Sequence, residues 1–467
     1  MYFCVLPGPG FFFTFDLDLD FMTKTQEIQL QNVNVSTIRS IEDALVPLIK
    51  FTFQFDQNTP IDFDIGLVTF DPNEQIFKSK MPLKYEQSNA LSAKIAKEIG
   101  ELSEQRKHFG GGEVGEKNID EKLKKKLRSL SSFEVSSIIL KRILATENTE
   151  NGNGNILQIY RTFLLMIKFW AREHHIYDNK LGFFNGISLS LLVAKVMLLY
   201  PMASLPFLIE KFFFTFSTWP WPTPVKLTDL PSLSILRWNA SDESDKRGVI
   251  YSRRGLMPGL TMPIVTPGHI EQNATFNVNR STATIIQREL QNAIKIIRNW
   301  PMDLQNLQEE KWENLLKDKK FEEKFSHFIR INCKAFALAD FYDFCGYVET
   351  RIRLQLLIDV ERFDRIRLAH AKQIVEKGQI LGENEKGDEN EAFPVSKSEH
   401  YQKIWLIGLE LDDKIAAVGD EWIQRLNSML FHQFDATIEK AYRIKKNLAN
   451  ELIQIELKSK YEKDENY

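Results

Sequence analysis

Asp62 and Asp64 stand two residues apart in IDFDIGLVTF, a run of aromatic and β-branched residues that reads as a strand. Side chains alternate along a strand, so the two carboxylates share one face while Ile61, Phe63 and Ile65 point the other way, toward a core. Paired carboxylates can hold a divalent cation and help deprotonate an attacking hydroxyl. The same spacing also describes a solvated strand face. A second candidate is RTFLLMIKFWAREHHIY, in which Arg161, Lys168 and Arg172 fall at intervals of seven and four and share one helical face. A basic stripe can grip a triphosphate as fixed positive charge, although an ordinary solvated face has the same pattern. Directly after it, IYDNKLGFFNG offers Tyr177, Asn179, Gly182 and Gly186. A ring, an amide and close backbone approach suit nucleotide recognition; glycines there also suit plain turns.

Other candidates fail on geometry. His174 and His175 are adjacent and diverge by roughly 100° on a helix, which makes them poor joint metal ligands. GGGEVGEKN lacks the Gly-Lys-Ser/Thr ending that a phosphate loop needs, since Glu116 separates Gly115 from Lys117 and Asn118 follows. STWPWPTP, with Trp219 and Trp221, reads as a packed corner. The basic clusters KLKKKLR, KRGVIYSRRG and KAYRIKKN are surface segments that would track phosphates only if they shared a groove.

These residues need a sizeable scaffold. The chain has 467 residues, enough for about three domains. Its 43% hydrophobic and 12% aromatic content exclude wholesale disorder. With 60 basic and 63 acidic residues it is no globally basic nucleic-acid binder. Cys4, Cys333 and Cys345 are too few and too scattered for a disulfide scaffold or zinc finger and fit a reducing compartment. No apolar run approaches the about 18 residues of a membrane span, and the N-terminus lacks the basic start of a secretory signal. VPLIKFTFQF and IDFDIGLVTF read as strands. Ile156, Ile159, Tyr160, Phe163, Ile167 and Trp170 form one helical face, and ISLSLLVAKVMLLYP reads as a buried helix stopped by Pro201. A helix is expected from about Ser281 to Asn299. HFIRINCKAF, RFDRIRLAHA and YQKIWLIGLEL read as strands and DFYDFCGYVETRIRLQLLIDVE as a helix. GQILGENEKGDENEAFPVSKSEH reads as an acidic loop, and a final helix carries Ile438, Ala441, Ile444, Leu448, Leu452 and Ile455 on one side. This strand-helix-strand-strand-helix order predicts a small α+β sandwich of the RNA-recognition type.

Four segments, IRSIEDALVPLIKFTF…IDFDI, IKFWAREHHIYDNKLGFFNGISLSLLVAKVMLLYP, EKFFFTFSTWPWPTPV and MPIVTPGHIEQNATFNVNRST, resemble eukaryotic nuclear poly(A) polymerases. Weaker likeness runs through GYVETRIR and YQKIWLIGLEL to about residue 455. The resemblance implies an α+β multidomain fold: a partial nucleotidyltransferase palm over 1–74, a variable insertion over 75–118 and a helical central domain over 119–318. It further implies an RNA-binding, RNA-recognition-like α+β sandwich over 319–457 and a tail over 458–467. Asp64 matches the family's third catalytic, metal-binding aspartate, which serves attack of the RNA 3′-hydroxyl on the ATP α-phosphorus. Lys168 and Tyr177 match triphosphate contacts, Asn179 falls where the family recognises the adenine nucleotide, and Gly186 and Ile187 sit where it packs Gly-Val against the base. Arg172 replaces a usual lysine, Asn185 a common glycine, and Ser131 a usual asparagine.

The family carries a Gly-Ser pair and an Asp-x-Asp motif ahead of the segment matching FCVLP, whereas this sequence begins at Met1 just beyond that place. The expectation is therefore an N-terminally truncated palm. Asp16, Asp18 and Asp20 in FDLDLDF imitate the motif but follow FCVLP, and are read as a decoy. The implied activity is addition of adenylates from ATP to mRNA 3′ ends with Mg2+ or Mn2+, in the nucleus, alongside the cleavage and polyadenylation machinery and with no membrane contact. One aspartate cannot hold the two ions of such a reaction, so the chain as given is expected to transfer feebly. The alternative is a catalytically inactive RNA-binding or partner-binding relative.

Overall fold

The computed structural model describes residues 2–6, 13–16, 34–41, 48–54, 60–68, 94, 97, 130–131, 134–146, 155–227, 251–252, 255–256, 261–268, 272–300, 309–317, 321–335, 337–363, 365–380, 400–412, 421–445 and 455–463. It is a mixed α and β chain in two units, one comprising Met1–Ile167, Gly186–Thr215 and Pro220–Phe276, the other Lys168–Asn185, Phe216–Trp219 and Asn277–Tyr467.

In the first unit, β1 (Tyr2–Leu6), β2 (Phe13–Asp16), β3 (Asn34–Ile41), β4 (Leu48–Gln54) and β5 (Pro60–Val68) form an antiparallel sheet of order β2-β1-β5-β4-β3. The two strands read from the sequence are β4 and β5, paired directly, with β5 central. Three helices follow: α1 over 134–144, α2 (Ile156–Glu173), whose first part belongs here, and α3 (Gly186–Leu199). Then comes α4 (Leu205–Ser217). The expected stripe on α2 is real: Ile156, Tyr160, Phe163 and Ile167 are buried and Ile159 is half-buried. α3 is apolar on every side, with Leu189, Leu191, Leu192, Val193, Ala194, Val196 and Met197 all buried, as a helix running through a core must be. Phe163 of α2 meets Phe212 of α4 edge to face, ring centroids 6.0 Å apart. Buried Asn273 and Thr275 serve the backbone: both side chains accept from the Ile264 amide, and Thr275 Oγ1 donates to the Met262 carbonyl. That accounts for polar residues inside QNATFNVN: they satisfy a segment with almost no sheet of its own. Two short strands, β6 (Tyr251–Ser252) and β7 (Gly255–Leu256), pair with each other. Of the expected insertion over 75–118, only Lys94 and Lys97, both helical, are among the described residues.

The second unit contains α5 (Arg280–Arg298), close to the expected span. Asn279 closes its N-terminus with a capping box: its Oδ1 accepts from the Thr282 amide at 2.8 Å while Thr282 Oγ1 accepts from the Asn279 amide at 3.0 Å. Lys295 and Arg298 sit in the last turn, where the helix dipole favours cations. After α6 (Glu309–Leu316) come β8 (His327–Ala335) and α7 (Leu338–Arg351), which runs into a π-helical segment (Ile352–Leu357) and α8 (Ile358–Val360). Then follow β9 (Ile366–Ile380), β10 (His400–Leu411), α9 (Glu421–Met429), a second π-helical segment (Leu430–Asp435), α10 (Ala436–Lys445) and β11 (Ile455–Lys463). The sheet is antiparallel with order β11-β8-β10-β9, so β10 lies between β8 and β9 in the split β-α-β manner. On β8, Ile329, Ile331, Cys333 and Ala335 are buried at alternate positions, with Trp405 and Ile407 of β10 in register beside them. Phe344 and Val348 of α7 and Leu426, Ile438 and Tyr442 from the C-terminal helices complete this core. Cys333 and Cys345 are free, buried thiols with their sulfurs 3.0 Å apart.

The C-terminal expectation needs correcting. The last helix ends at Lys445, Ile444 is 70% exposed, and Ile455 begins a strand instead of closing a helical face. The residues expected as a tail from 458 lie within that strand as far as Lys463. IELKSKYEK alternates, with Ile455, Leu457 and Tyr461 buried, and a period of two overrides a helical pattern carried across the connection. Most of the acidic loop lies outside the described residues.

Candidate nucleotide-binding site

Lys168 and Arg172 lie one turn apart near the end of α2. Burial, and then the neighbouring Arg172 charge, pull the Lys168 ammonium below its ordinary range. The Arg172 guanidinium lies 5.2 Å from the centroid of the Tyr177 ring. Burial raises the Tyr177 phenol, against the charge and hydrogen bond of Arg172. Among the described residues neither cation forms an ion pair. Two like charges held together, one of them partly desolvated, are an arrangement that an anion relieves.

Local geometry turns the chain from helix to loop. His175 takes a left-handed conformation, φ 57°, with its amide donating to the Arg172 carbonyl at 3.0 Å and the Ile176 amide donating to the Ala171 carbonyl at 2.8 Å. This is the Schellman pairing, here with histidine where glycine is usual, and buried Ala171 and Ile176 supply its apolar contact. The His175 carbonyl accepts a hydrogen bond from buried His370 Nε2 at 2.9 Å. His174 Nδ1 lies 2.8 Å from Glu289 Oε2 and its Nε2 3.2 Å from the Leu315 carbonyl oxygen. Burial works to raise Glu289, but His174 and Lys324 outweigh it and hold the carboxyl below its usual range.

The loop after His175 is tied at nearly every residue. Asp178 Oδ1 accepts from the Lys180 amide at 2.9 Å and the Leu181 amide at 3.4 Å, an Asx turn. The Asn179 carbonyl accepts from the Gly182 amide at 3.2 Å and from Asn277 Nδ2 at 2.8 Å. Asn179 Oδ1 is buried with no hydrogen-bond partner among the described residues, and so is Asn277 Oδ1. A buried amide oxygen left unbonded fits an N–H or O–H donor supplied from outside, such as an adenine amine or a ribose hydroxyl. Gly182 is required here: its φ is 95°, and a Cβ would come within 3.0 Å of the Asn277 carbonyl and 3.2 Å of Thr282 Cγ2. Gly182→Ala is therefore expected to cost about 2 kcal/mol, read as a lower urea midpoint.

In the other unit, Gly186 and Ile187 open α3, and the Gly186 carbonyl accepts from Ser190 Oγ at 2.7 Å. Asp64 lies on the central strand, opposite Lys50 of β4 and Leu6 of β1. Asp16 pairs with Tyr2, at the far end of β1 and on the edge strand. Four residues along β1 and two strand spacings across separate the Asp16 and Asp64 Cα positions by roughly 16 Å. Asp18 and Asp20 lie outside the described residues, and among those described no group of three or more His, Cys, Asp or Glu is placed to hold a metal ion. No described helix is long and apolar enough to cross a membrane. Sequence reasoning did not single out Lys180, Asn277, Glu349 or His370 as supports of the loop; Asn277 stood inside a quoted segment, but its link to Asn179 spans 98 residues.

A family profile described as Poly(A) polymerase central domain matches residues 159–318. A Dictyostelium discoideum protein named Poly(A) polymerase is 28% identical over 338 residues, covering 72% of this chain and 34% of that protein. The Arabidopsis thaliana Nuclear poly(A) polymerase 4 is 27% identical over 330 residues, covering 70% of this chain and 36% of its own length. The chain thus spans about a third of the length of these curated relatives. Among solved structures, a cytoplasmic RNA terminal U-transferase aligns with 64% of this chain and 77% of its own at 12% identity and a TM-score of 0.29, too low to bear on the fold. Over its central part and across about 70% of its length, the chain is thus similar to eukaryotic poly(A) polymerases.

Proposed function

We propose that this chain is a polynucleotide adenylyltransferase that adds adenylates from ATP to mRNA 3′ ends. One observation carries the reading: the pair Lys168 and Arg172, strained toward an anion, stands beside Tyr177 and a tightly tied loop whose Asn179 leaves a buried acceptor unbonded. Lys168 and Arg172 neutralise the triphosphate, the Tyr177 hydroxyl donates to it, and Asn179 Oδ1 accepts from the adenosine. The four-stranded β11-β8-β10-β9 sheet is the RNA-binding, RNA-recognition-like part, and the setting is nuclear, with the cleavage and polyadenylation machinery as partner. The hard oxygens of the Asp64 carboxylate suit Mg2+ or Mn2+, which would polarise the reacting phosphoryl group when bound. A single carboxylate does not complete a two-ion site, and the described residues offer no further cluster. The second reading is an inactive RNA-binding or partner-binding relative.

An extension assay with labelled ATP, Mg2+ and an oligo(A) primer separates the two. Primer extension, outcompeted by unlabelled ATP but not by the other three nucleoside triphosphates, supports the transferase; RNA binding without extension supports the inactive relative; preference for UTP overturns adenylate selection. Lys168→Ala is expected to weaken ATP binding about tenfold, measured by titration with a fluorescent ATP analogue.

A further inference from the structure

Glu349 has no part in the chemistry described above, yet its placement calls for an explanation. It lies within α7 beside fully buried Val348, and its side chain is 6% exposed. A carboxylate taken out of water needs partners. It accepts from Lys180 Nζ at 2.5 Å, while Lys403 Nζ of β10 stands 3.9 Å from its other oxygen. Lys180 lies between Asn179 and Gly182 in the loop, 169 residues away in sequence, and is half exposed. Nothing in the packing of a half-exposed lysine requires it to reach a buried carboxylate. The same ammonium faces a second acid, Asp178, whose carboxyl is raised by burial and by Glu349 and lowered by Lys180. The Lys180 charge thus offsets the repulsion between the two carboxylates. Asn277 holds the Asn179 carbonyl at the same time.

We propose that Glu349 is a positioning residue: through Lys180 it clamps the Tyr177–Gly182 loop to α7 and the C-terminal sheet, and so sets the geometry in which Tyr177 and Asn179 meet the nucleotide. The role rests on the nucleotide reading of that loop. Removing the clamp leaves Asp178 of the loop repelled by Glu349, so the loop loosens from α7 and ATP binding then has to restore its order.

Lys180→Met in the full chain tests this, because a half-exposed residue can be replaced without opening the core. The Gly182, Phe183 and Phe184 amides, which bond to the carbonyls of Asn179, Asp178 and Ile176, are expected to exchange with deuterium about fivefold faster, with β8 and β10 unchanged. The Kd for a fluorescent ATP analogue is expected to rise about fivefold. Lys180→Arg restores both values, and Glu349→Gln combined with Lys180→Met is no weaker than Lys180→Met alone. Unchanged exchange overturns the clamp. Faster exchange with an unchanged Kd overturns the positioning role and leaves the nucleotide site standing. Failure of the unsubstituted chain to bind the analogue overturns the nucleotide site itself, and the positioning role with it.

Discussion

Under the proposed function, Asp64→Ala is expected to abolish adenylate addition while leaving RNA binding intact. The carboxylate at this position is the one acid that both the strand pattern and the family likeness assign to the metal, and it sits on the central strand of its sheet. A divalent ion stabilises the developing charge on a transferring phosphoryl group by several kcal/mol. Losing an essential ligand should therefore lower the extension rate on the order of 10³-fold. Fluorescence anisotropy of labelled oligo(A), which reads binding without catalysis, should not change. Asp18→Ala is expected to leave extension as it was. An Asp18→Ala loss equal to that of Asp64→Ala would make FDLDLDF the source of the missing carboxylates, although the Cα of Asp16, at the edge of the sheet, lies roughly 16 Å from that of Asp64.

What the sequence disclosed and what it hid follow from the range of the interactions. α2, α3, α5 and strands β4, β5, β8 and β10 were legible because burial imposes a period of 3.6 or 2 on each segment alone. β11 was not. Its alternation is short and charged, and it becomes a strand only by pairing with β8, more than a hundred residues earlier. The cations of the site were legible as a helical stripe, and Tyr177 and Asn179 as polar residues in a glycine-bearing loop. Their supports were not, because Asn277, Glu349 and His370 reach the loop from segments 98 to 195 residues away. Nor does spacing say that His175 would occupy the left-handed turn position where glycine is usual. That turn is held by a hydrogen bond from another element.

His370→Gln flattens the acid side of the stability curve. His370 is fully buried, ringed by Phe183, Phe321 and Phe325 with centroids 4.9, 5.0 and 5.9 Å away. Burial pushes its pKa from 6.5 down to about 4, the hydrogen bond to the His175 carbonyl and the charge of Glu289 opposing, Lys324 and Lys372 assisting. The unfolded chain therefore binds a proton below pH 6.5 that the folded chain refuses until about pH 4. Stability from this group is complete above pH 6.5 and drains away as pH falls, by about 2 kcal/mol at pH 5. His175, lowered to about 3 chiefly by burial, acts in the same direction but less strongly, since part of its ring meets water. Asp435, raised to about 6 by burial, works the other way and gains stability between pH 6 and 4. Asp435 thus offsets only part of the loss, and the difference between variants isolates His370. Glutamine keeps an N–H for the His175 carbonyl and carries no titrating proton. Urea unfolding at pH 7 and pH 5 should show the variant losing about 2 kcal/mol less than the unsubstituted chain over that interval. Equal losses would mean that His370 takes up its proton while still folded. The same acid step should loosen the end of α2, because the His370 hydrogen bond at the turn precedes the nucleotide loop by a single residue, Ile176.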